Sequence, residues 1–79
     1  MLTRYFDAAM ERAVYKRLGD GTWFGEIPEF AGLWANEDTH AGCQEDLRSA
    51  LEDWVLLALR QNVPLPIVDG IDLNVSSVA

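Results

Sequence analysis

The chain contains one cysteine, Cys43, and one histidine, His40. A single cysteine excludes an intramolecular disulfide, and a chain without a disulfide framework is typical of a reducing compartment. His40 and Cys43 lie three residues apart, but a structural zinc ion needs four ligands and a catalytic one usually needs three. We therefore predict no metal site, and we expect Cys43 to be a small core residue.

Basic residues are also scarce. Six lysines and arginines stand against thirteen acidic residues, so the net charge is -7. Such a surface repels phosphate backbones, and acidic residues flank the densest basic group, Arg12, Lys16 and Arg17. Direct nucleic-acid binding is therefore disfavoured. The acidic charge either maintains solubility alone or steers the protein toward a basic partner.

Long apolar runs are absent as well. No stretch approaches the roughly 20 apolar residues of a membrane span, and "MLTRYFDAAMERAVYKRL" has no uninterrupted apolar region of the kind found in secretion signals. We therefore expect a soluble, cytoplasmic protein without membrane contact. Its 79 residues suit a single domain over 1–79, and a core this small favours self-association.

The hydrophobic pattern predicts an α+β fold, in which a three-stranded antiparallel sheet is packed by one long helix. Apolar residues at four-residue spacing favour helices at the start and in the second half of the chain. Alternating segments between them favour strands, joined by a Gly-Asp-Gly turn and by "PEFAG". The predicted elements are a short N-terminal helix over 1–10, strands over 12–18, 22–27 and 33–38, a long helix over 39–62 and a short C-terminal strand over 71–75.

The end of the long helix, "WVLLAL", is apolar on every side, whereas its earlier turns are amphipathic. Such a helix end needs a cover on its outer face. Either the N-terminal helix or a second subunit could provide that cover, so a homodimer or larger homo-oligomer is expected. The residues predicted for the oligomer interface are Trp54, Val55, Leu56 and Leu59.

No catalytic motif is recognisable. Carboxylates are plentiful because the chain is acidic, and spacing alone does not pick out two that share a pocket. Gly19-Asp20-Gly21 lacks the flanking residues of a phosphate-binding loop. Tyr15 with Trp23 or Phe24 could form a base-stacking platform, but such platforms carry interleaved lysine or arginine, so packing in the core is favoured. We predict no enzyme, no catalytic residue and no cofactor.

Several short motifs occur together in one order: "DGTWFGEIPEF", "GLWANEDT", "ALEDW", "PLP" and "VDGIDL". This combination resembles the HicB-like antitoxin family, in particular its short members that lack the C-terminal DNA-binding domain. The resemblance implies a truncated relative of the RNase H fold without that fold's catalytic carboxylates. It also implies a small basic RNA-cleaving toxin of the HicA type as partner, and no direct DNA binding. One departure is Gly42, which would weaken the first turn of the long helix by up to roughly 1 kcal/mol relative to alanine.

Three functions therefore stay open. The chain is a non-catalytic antitoxin domain that neutralises a basic toxin, a stand-alone homo-oligomeric structural or regulatory module, or an RNA-binding protein. In the first case, acidic residues gathered at one edge of the sheet and one aromatic side chain would contact the toxin, although a solvated rim explains the acidic residues equally well. The candidate partner-binding residues are Phe24, Glu26, Glu29, Glu37 and Asp38.

Overall fold

A computed structural model describes residues 2–73 of the chain. Within them, two helices and a three-stranded antiparallel sheet form the predicted α+β fold. The elements are α1 (Leu2–Glu11), β1 (Val14–Arg17), β2 (Trp23–Glu26), β3 (Trp34–Glu37) and α2 (His40–Arg60). No helix among these residues is both long enough and apolar enough to cross a membrane.

The strands are shorter than the predicted ranges because the flanking residues belong to turns and helix ends. The backbone N–H of Arg12, for example, donates to Ala9 O at 3.0 Å and so extends the end of α1. The β1–β2 turn contains Gly21, whose φ of +87° is a left-handed conformation that glycine adopts without steric strain. The Asp20 carboxylate accepts hydrogen bonds from the hydroxyl and the N–H of Thr22, which fix this turn and lower the pKa of Asp20.

Helix α2 packs on one face of the sheet. In the middle of that face, Tyr15, Gly25 and Ala35 lie side by side across the three strands. Cys43 packs on this row as a buried core residue, as predicted, with its Sγ 3.6 Å from Ala35 O. Because Gly25 and Ala35 are small, α2 approaches the sheet closely here. The buried stripe then continues along α2 through Leu47, Leu51, Val55 and Ala58.

The first turn of α2 is capped by Thr39, whose Oγ1 accepts a hydrogen bond from Gly42 N–H at 2.9 Å. A Cβ at position 42 would lie 2.9 Å from that same oxygen. The glycine that lowers the helix propensity of this turn therefore leaves room for the cap. At its other end, α2 stops where Asn62 adopts a left-handed conformation with a φ of 56°.

Helix α2 is longer than the sheet beneath it. Its 21 residues extend over about 32 Å, whereas four-residue strands extend over about 13 Å. Helix α1 and the segment 27–33 cover one side of the overhanging half. They contribute the buried side chains of Tyr5, Ala8, Ala9, Ile27, Phe30 and Leu33.

The segment after α2 returns to α1. The Tyr5 hydroxyl donates a 2.6 Å hydrogen bond to Pro66 O, and Leu65 and Val68 are buried beside it. The described part of the predicted strand, residues 71–73, forms no extended strand. The described part instead contains an isolated antiparallel bridge between Val68 and Ile71, because Asp69 and the next residue form a tight turn between them. Residues 74–75 of the predicted strand lie outside the described residues.

Candidate protein-binding surface

The face of the sheet opposite α2 is left uncovered by the described residues. Side chains alternate along a strand, so each of the three strands presents two residues to this face. All of them are exposed except Phe24, which is half-buried. The strand register arranges them in two rows, Lys16–Phe24–Asn36 and Val14–Glu26–Trp34, and we call these six residues the open sheet face.

An aromatic pair lies in the middle of the open sheet face. The rings of Phe24 and Trp34 are stacked, with centroids 6.1 Å apart and an interplanar angle of 20°. Trp34 is 58% exposed, whereas the other two tryptophans are half-buried. The carboxylate-bearing Glu26 lies directly opposite Trp34 on the neighbouring strand. Aromatic side chains are enriched at the centre of protein–protein interfaces, whereas polar and charged residues form the rim around them.

Asn36 fixes the geometry of this face on its other side. Its Nδ2 donates to Thr22 Oγ1 at 2.9 Å and to Trp23 O at 2.8 Å, across the β2–β3 pair. The amide is therefore oriented by its own sheet and holds the end of β3 against the hairpin. The Asn36 side chain is therefore held in one orientation before a partner arrives, which lowers the entropy lost by that side chain on binding.

A second acidic feature lies where β3 meets α2. It consists of Glu37, Asp38 and Asp46, which are all exposed, and we call it the acidic edge. A hydrogen bond with Asp46 and the negative charge of Asp46 raise the pKa of Glu37, and desolvation and Asp38 add smaller shifts in the same direction. The acidic edge therefore holds carboxylates that repel one another at neutral pH. A positively charged partner would relieve that repulsion.

The four predicted acidic residues do not gather at one edge of the sheet. Glu26 pairs with the first residue of β3 and Glu37 is the last, so they are three residues, or about 10 Å, apart along the strand direction. Glu29 lies in the connection after β2, where its Oε2 is 2.7 Å from Arg12 Nη1 and the pKa of Glu29 is lowered by that hydrogen bond. Because Glu29 already has a cationic partner within the chain, we exclude it from the candidate surface.

The aromatic residues of the inner face have structural contacts. The ring of His40 lies 4.6 Å from that of Tyr15 and 4.9 Å from that of Trp23, at the beginning of α2.

Burial raises the pKa of the Cys43 thiol, and the charges of Asp46 and Glu37 add to this shift. Cys43 is therefore a protonated core thiol. Within residues 2–73, no group of three or more histidine, cysteine or acidic side chains is arranged to hold a metal ion.

The predicted oligomer interface divides into two parts. Val55 is only 2% exposed and lies in the core, so we exclude it from the candidate interface. Trp54 is half-buried, with its Nε1–H donating to Ala31 O at 3.0 Å and its ring edge-on to Phe30. Leu56 and Leu59, by contrast, are exposed on the outer side of α2. Helix α1 thus covers one side of the apolar helix end and leaves the other side uncovered.

Sequence comparison identifies the family to which this arrangement belongs. The model of the UPF0150-like family matches residues 4–66. The chain belongs to the UPF0150-like family. The matched region includes the whole of the open sheet face, the acidic edge and α2.

A solved structure supports the UPF0150-like fold. The crystal structure of TTHA0281 from Thermus thermophilus superposes on the chain with a TM-score of 0.87 and 36% sequence identity. The match covers 95% of this chain and 94% of TTHA0281. No curated protein matches the chain.

Trp34 is the exposed aromatic residue of the site, and sequence reasoning did not select it. Its position in the alternating segment "LWANE" is the signal that could have found it, because a buried Ala35 places Trp34 and Asn36 on the opposite face. Which residues lie beside Trp34 on that face depends on the register between β2 and β3. Phe24, which was selected, is its stacking partner.

Proposed function

We propose that this UPF0150-like protein is a HicB-like antitoxin domain, which neutralises a small basic RNA-cleaving toxin by binding it and has no catalytic activity of its own. The observation that carries the proposal is the stacked Phe24–Trp34 pair on the open sheet face, in which Trp34 is exposed and lies opposite Glu26. Membership of the UPF0150-like family supports it, because the same family pattern resembles HicB-like antitoxins.

The open sheet face has the properties of a binding anchor. Tryptophan is enriched among the residues that dominate binding free energy, and it acts best in a desolvated position surrounded by polar residues. Trp34 has Glu26 and Asn36 as its polar surroundings on the open sheet face. Burying the aromatic pair would therefore supply affinity, while the carboxylates at its margin would select a positively charged partner.

The net charge of -7 explains how such a partner would be captured. An RNA-cleaving toxin must present lysine and arginine to the RNA phosphates, and the same cationic surface is attracted to carboxylates. Long-range attraction accelerates encounter and weakens with added salt. Once bound, Glu26 and the acidic edge would occupy the positions of phosphate groups, so RNA would be excluded from the toxin by competition.

The test begins with a capture experiment. The tagged protein is expressed in its native host and purified at low ionic strength, and bound proteins are identified by mass spectrometry. A recovered small basic protein is then purified and titrated against the antitoxin by calorimetry, and its RNA cleavage is measured with and without one equivalent of the antitoxin. We expect a fixed stoichiometry and loss of cleavage.

Two variants make the experiment specific to the surface. Trp34→Ala removes the exposed anchor and should weaken binding by about thirtyfold or more, which corresponds to roughly 2 kcal/mol. Ile67→Ala is the control, because Ile67 is equally exposed, at 58%, but belongs to the segment after α2 and not to the sheet. It should change affinity less than threefold. The proposal fails if no small basic protein binds, or if both variants bind as tightly as the wild type.

RNA is the alternative occupant of an exposed aromatic pair. Single-stranded RNA binders stack bases on such rings, but they surround the rings with positive charge. On the open sheet face only Lys16 is cationic, and the negative charge of Glu26 on the same face offsets it. A filter-binding assay with a single-stranded RNA at low salt distinguishes the two functions, because retention that disappears in Trp34→Ala would favour RNA binding over toxin binding.

A further inference from the structure

The outer side of α2 carries an apolar surface that no described residue covers. Leu56 and Leu57 are 53% and 54% exposed, and Leu59 is exposed beside them. Val63, three residues after the last residue of the helix, is exposed as well. Three neighbouring leucines with exposed side chains on one helix are unusual for the surface of a soluble monomer and indicate a contact site.

Leu56 lies at the centre of this surface. Successive residues of a helix are rotated by 100°, so Leu56 is turned by about 160° from the mean direction of the buried stripe along α2. Glu52 lies one turn before Leu56 on the same side of the helix, and Arg60 lies one turn after it. This exposed strip of α2 therefore has an acidic residue, an apolar residue and a basic residue in order along the helix axis.

The two charged residues are available for a contact outside the chain. Arg60 makes no ion pair with any residue between 2 and 73. Glu52 has only a long contact of 3.8 Å with Arg48 Nε, and Arg48 makes a much shorter one of 2.9 Å with Asp7. Among the described residues, Arg60 therefore has no ionic partner and Glu52 has only a weak one.

We propose that two copies of this chain associate through α2, with the two helices packed antiparallel about a twofold axis at Leu56. In this arrangement Leu56 contacts Leu56 of the second copy, and Arg60 faces Glu52 of the second copy. The twofold axis generates the same ion pair twice. A parallel arrangement would instead place Glu52 against Glu52 and Arg60 against Arg60, so the charge pattern selects the antiparallel one.

The charge pattern is also the reason to identify the occupant as a second copy. A strip that is acidic at one end and basic at the other is complementary to itself after a twofold rotation. The basic toxin of the proposed function has no such requirement for Arg60, which would repel it. The open sheet face lies on the far side of the sheet from α2, so both copies would keep it uncovered, and the inference does not rest on the proposed function.

The test is the mass of the protein in solution, measured by analytical ultracentrifugation over a range of concentrations. We expect the wild type to be a dimer. Leu56→Glu places two carboxylates against each other at the axis and should raise the dissociation constant about a hundredfold or more. The matched control is Ile67→Glu, which puts the same charge on a comparably exposed residue outside α2 and should leave the dimer intact.

A charge exchange tests the antiparallel geometry. Arg60→Glu should raise the dissociation constant by up to about tenfold, because a glutamate at position 60 of each copy would then face Glu52 of the other copy. Adding Glu52→Arg to that variant exchanges the two charges and should restore the dimer. All four positions are exposed, and circular dichroism of each variant confirms the fold. A monomeric wild type, an equal effect of Leu56→Glu and Ile67→Glu, or a double variant weaker than Arg60→Glu would each overturn the proposal.

Discussion

Gly25 of β2 lies so close to α2 that a Cβ on the glycine would stand 3.0 Å from Cys43 Sγ. The same Cβ would stand 2.9 Å from Tyr15 Cδ1 on the neighbouring strand. Because Gly25 has no side chain, α2 can approach the sheet more closely here than any other residue would allow. Since β2 also carries Phe24 and Glu26, the packing beneath Gly25 supports the open sheet face above it.

Gly25→Ala should destabilise the protein by about 1–3 kcal/mol, because the added methyl group has to displace either α2 or the Tyr15 ring. The measurement is the urea midpoint followed by circular dichroism. Gly19→Ala is the control, since a Cβ at Gly19 meets nothing within 4 Å and its φ is not left-handed. It should change stability by less than about 0.5 kcal/mol.

A double variant tests whether Cys43 is the obstructing neighbour. Cys43→Ala removes the sulfur, so Gly25→Ala should be less harmful in that background, with a coupling of about 0.5 kcal/mol or more. Strictly additive effects would show that the Tyr15 ring alone resists the methyl group. That result would contradict the close approach of α2 at this point.

The local pattern predicted most of this fold because its signals lie within short segments. The apolar stripe from Cys43 to Ala58 follows the helical period, and the alternation in "TWFGEI" follows the strand period, so both elements could be assigned without knowledge of the tertiary structure. The glycine turn between the first two strands was equally local. Only the precise ends of these elements differed.

The site was harder to predict because it depends on contacts between distant segments. Val55 and Leu56 are adjacent in a run that is apolar on every side, so no periodicity shows that Val55 is buried and Leu56 is exposed. Glu29 and Arg12 are 17 residues apart, and their ion pair appears only after β2 has paired with β1. The stacking of Trp34 on Phe24 likewise requires the register of β3.

The acidic edge predicts an unusual pH dependence. A hydrogen bond with Asp46 and its charge raise the pKa of Glu37 in the folded state, so at low pH the folded protein binds more protons at this position than the unfolded chain does. Glu37 therefore lowers stability at neutral pH. That penalty should decrease as the pH falls through the raised pKa, and it should vanish below the ordinary glutamate value of about 4.3.

Glu37→Gln should accordingly stabilise the protein at pH 7 and have a smaller effect as the pH approaches 4. The measurement is the difference in unfolding free energy between variant and wild type at several pH values, which cancels the contributions of the other carboxylates. Glu45→Gln removes the same charge from a neighbouring exposed position and reports the effect of net charge alone. A gain equal to that of Glu45→Gln at every pH would contradict the interaction with Asp46.

Tyr5 attaches the segment after α2 to helix α1. Its side chain is fully buried, its hydroxyl donates a 2.6 Å hydrogen bond to Pro66 O, and its ring lies edge-on to Phe30. Tyr5→Phe should cost about 1 kcal/mol, because it leaves the partly buried carbonyl of Pro66 without this donor. Tyr5→Leu should cost more, since it also removes the ring contact. Equal stability of Tyr5→Phe and the wild type in urea would show that water replaces the hydroxyl.

Helix α2 ends in a Schellman motif whose central residue is Asn62. The N–H of Val63 donates to Ala58 O at 2.8 Å, and the N–H of Asn62 donates to Leu59 O at 3.4 Å, while Asn62 has a φ of 56°. Asparagine tolerates this left-handed conformation better than residues other than glycine do. Asn62→Ala should therefore destabilise the protein by about 1 kcal/mol, and Asn62→Gly should be neutral or stabilising. Thermal unfolding of the two variants measures both effects, and an alanine variant as stable as the glycine variant would show that the helix end rearranges.

Because Leu56, Leu59 and Val63 are held in place by this helix end, Asn62→Ala should also weaken self-association, whereas Asn62→Gly should not.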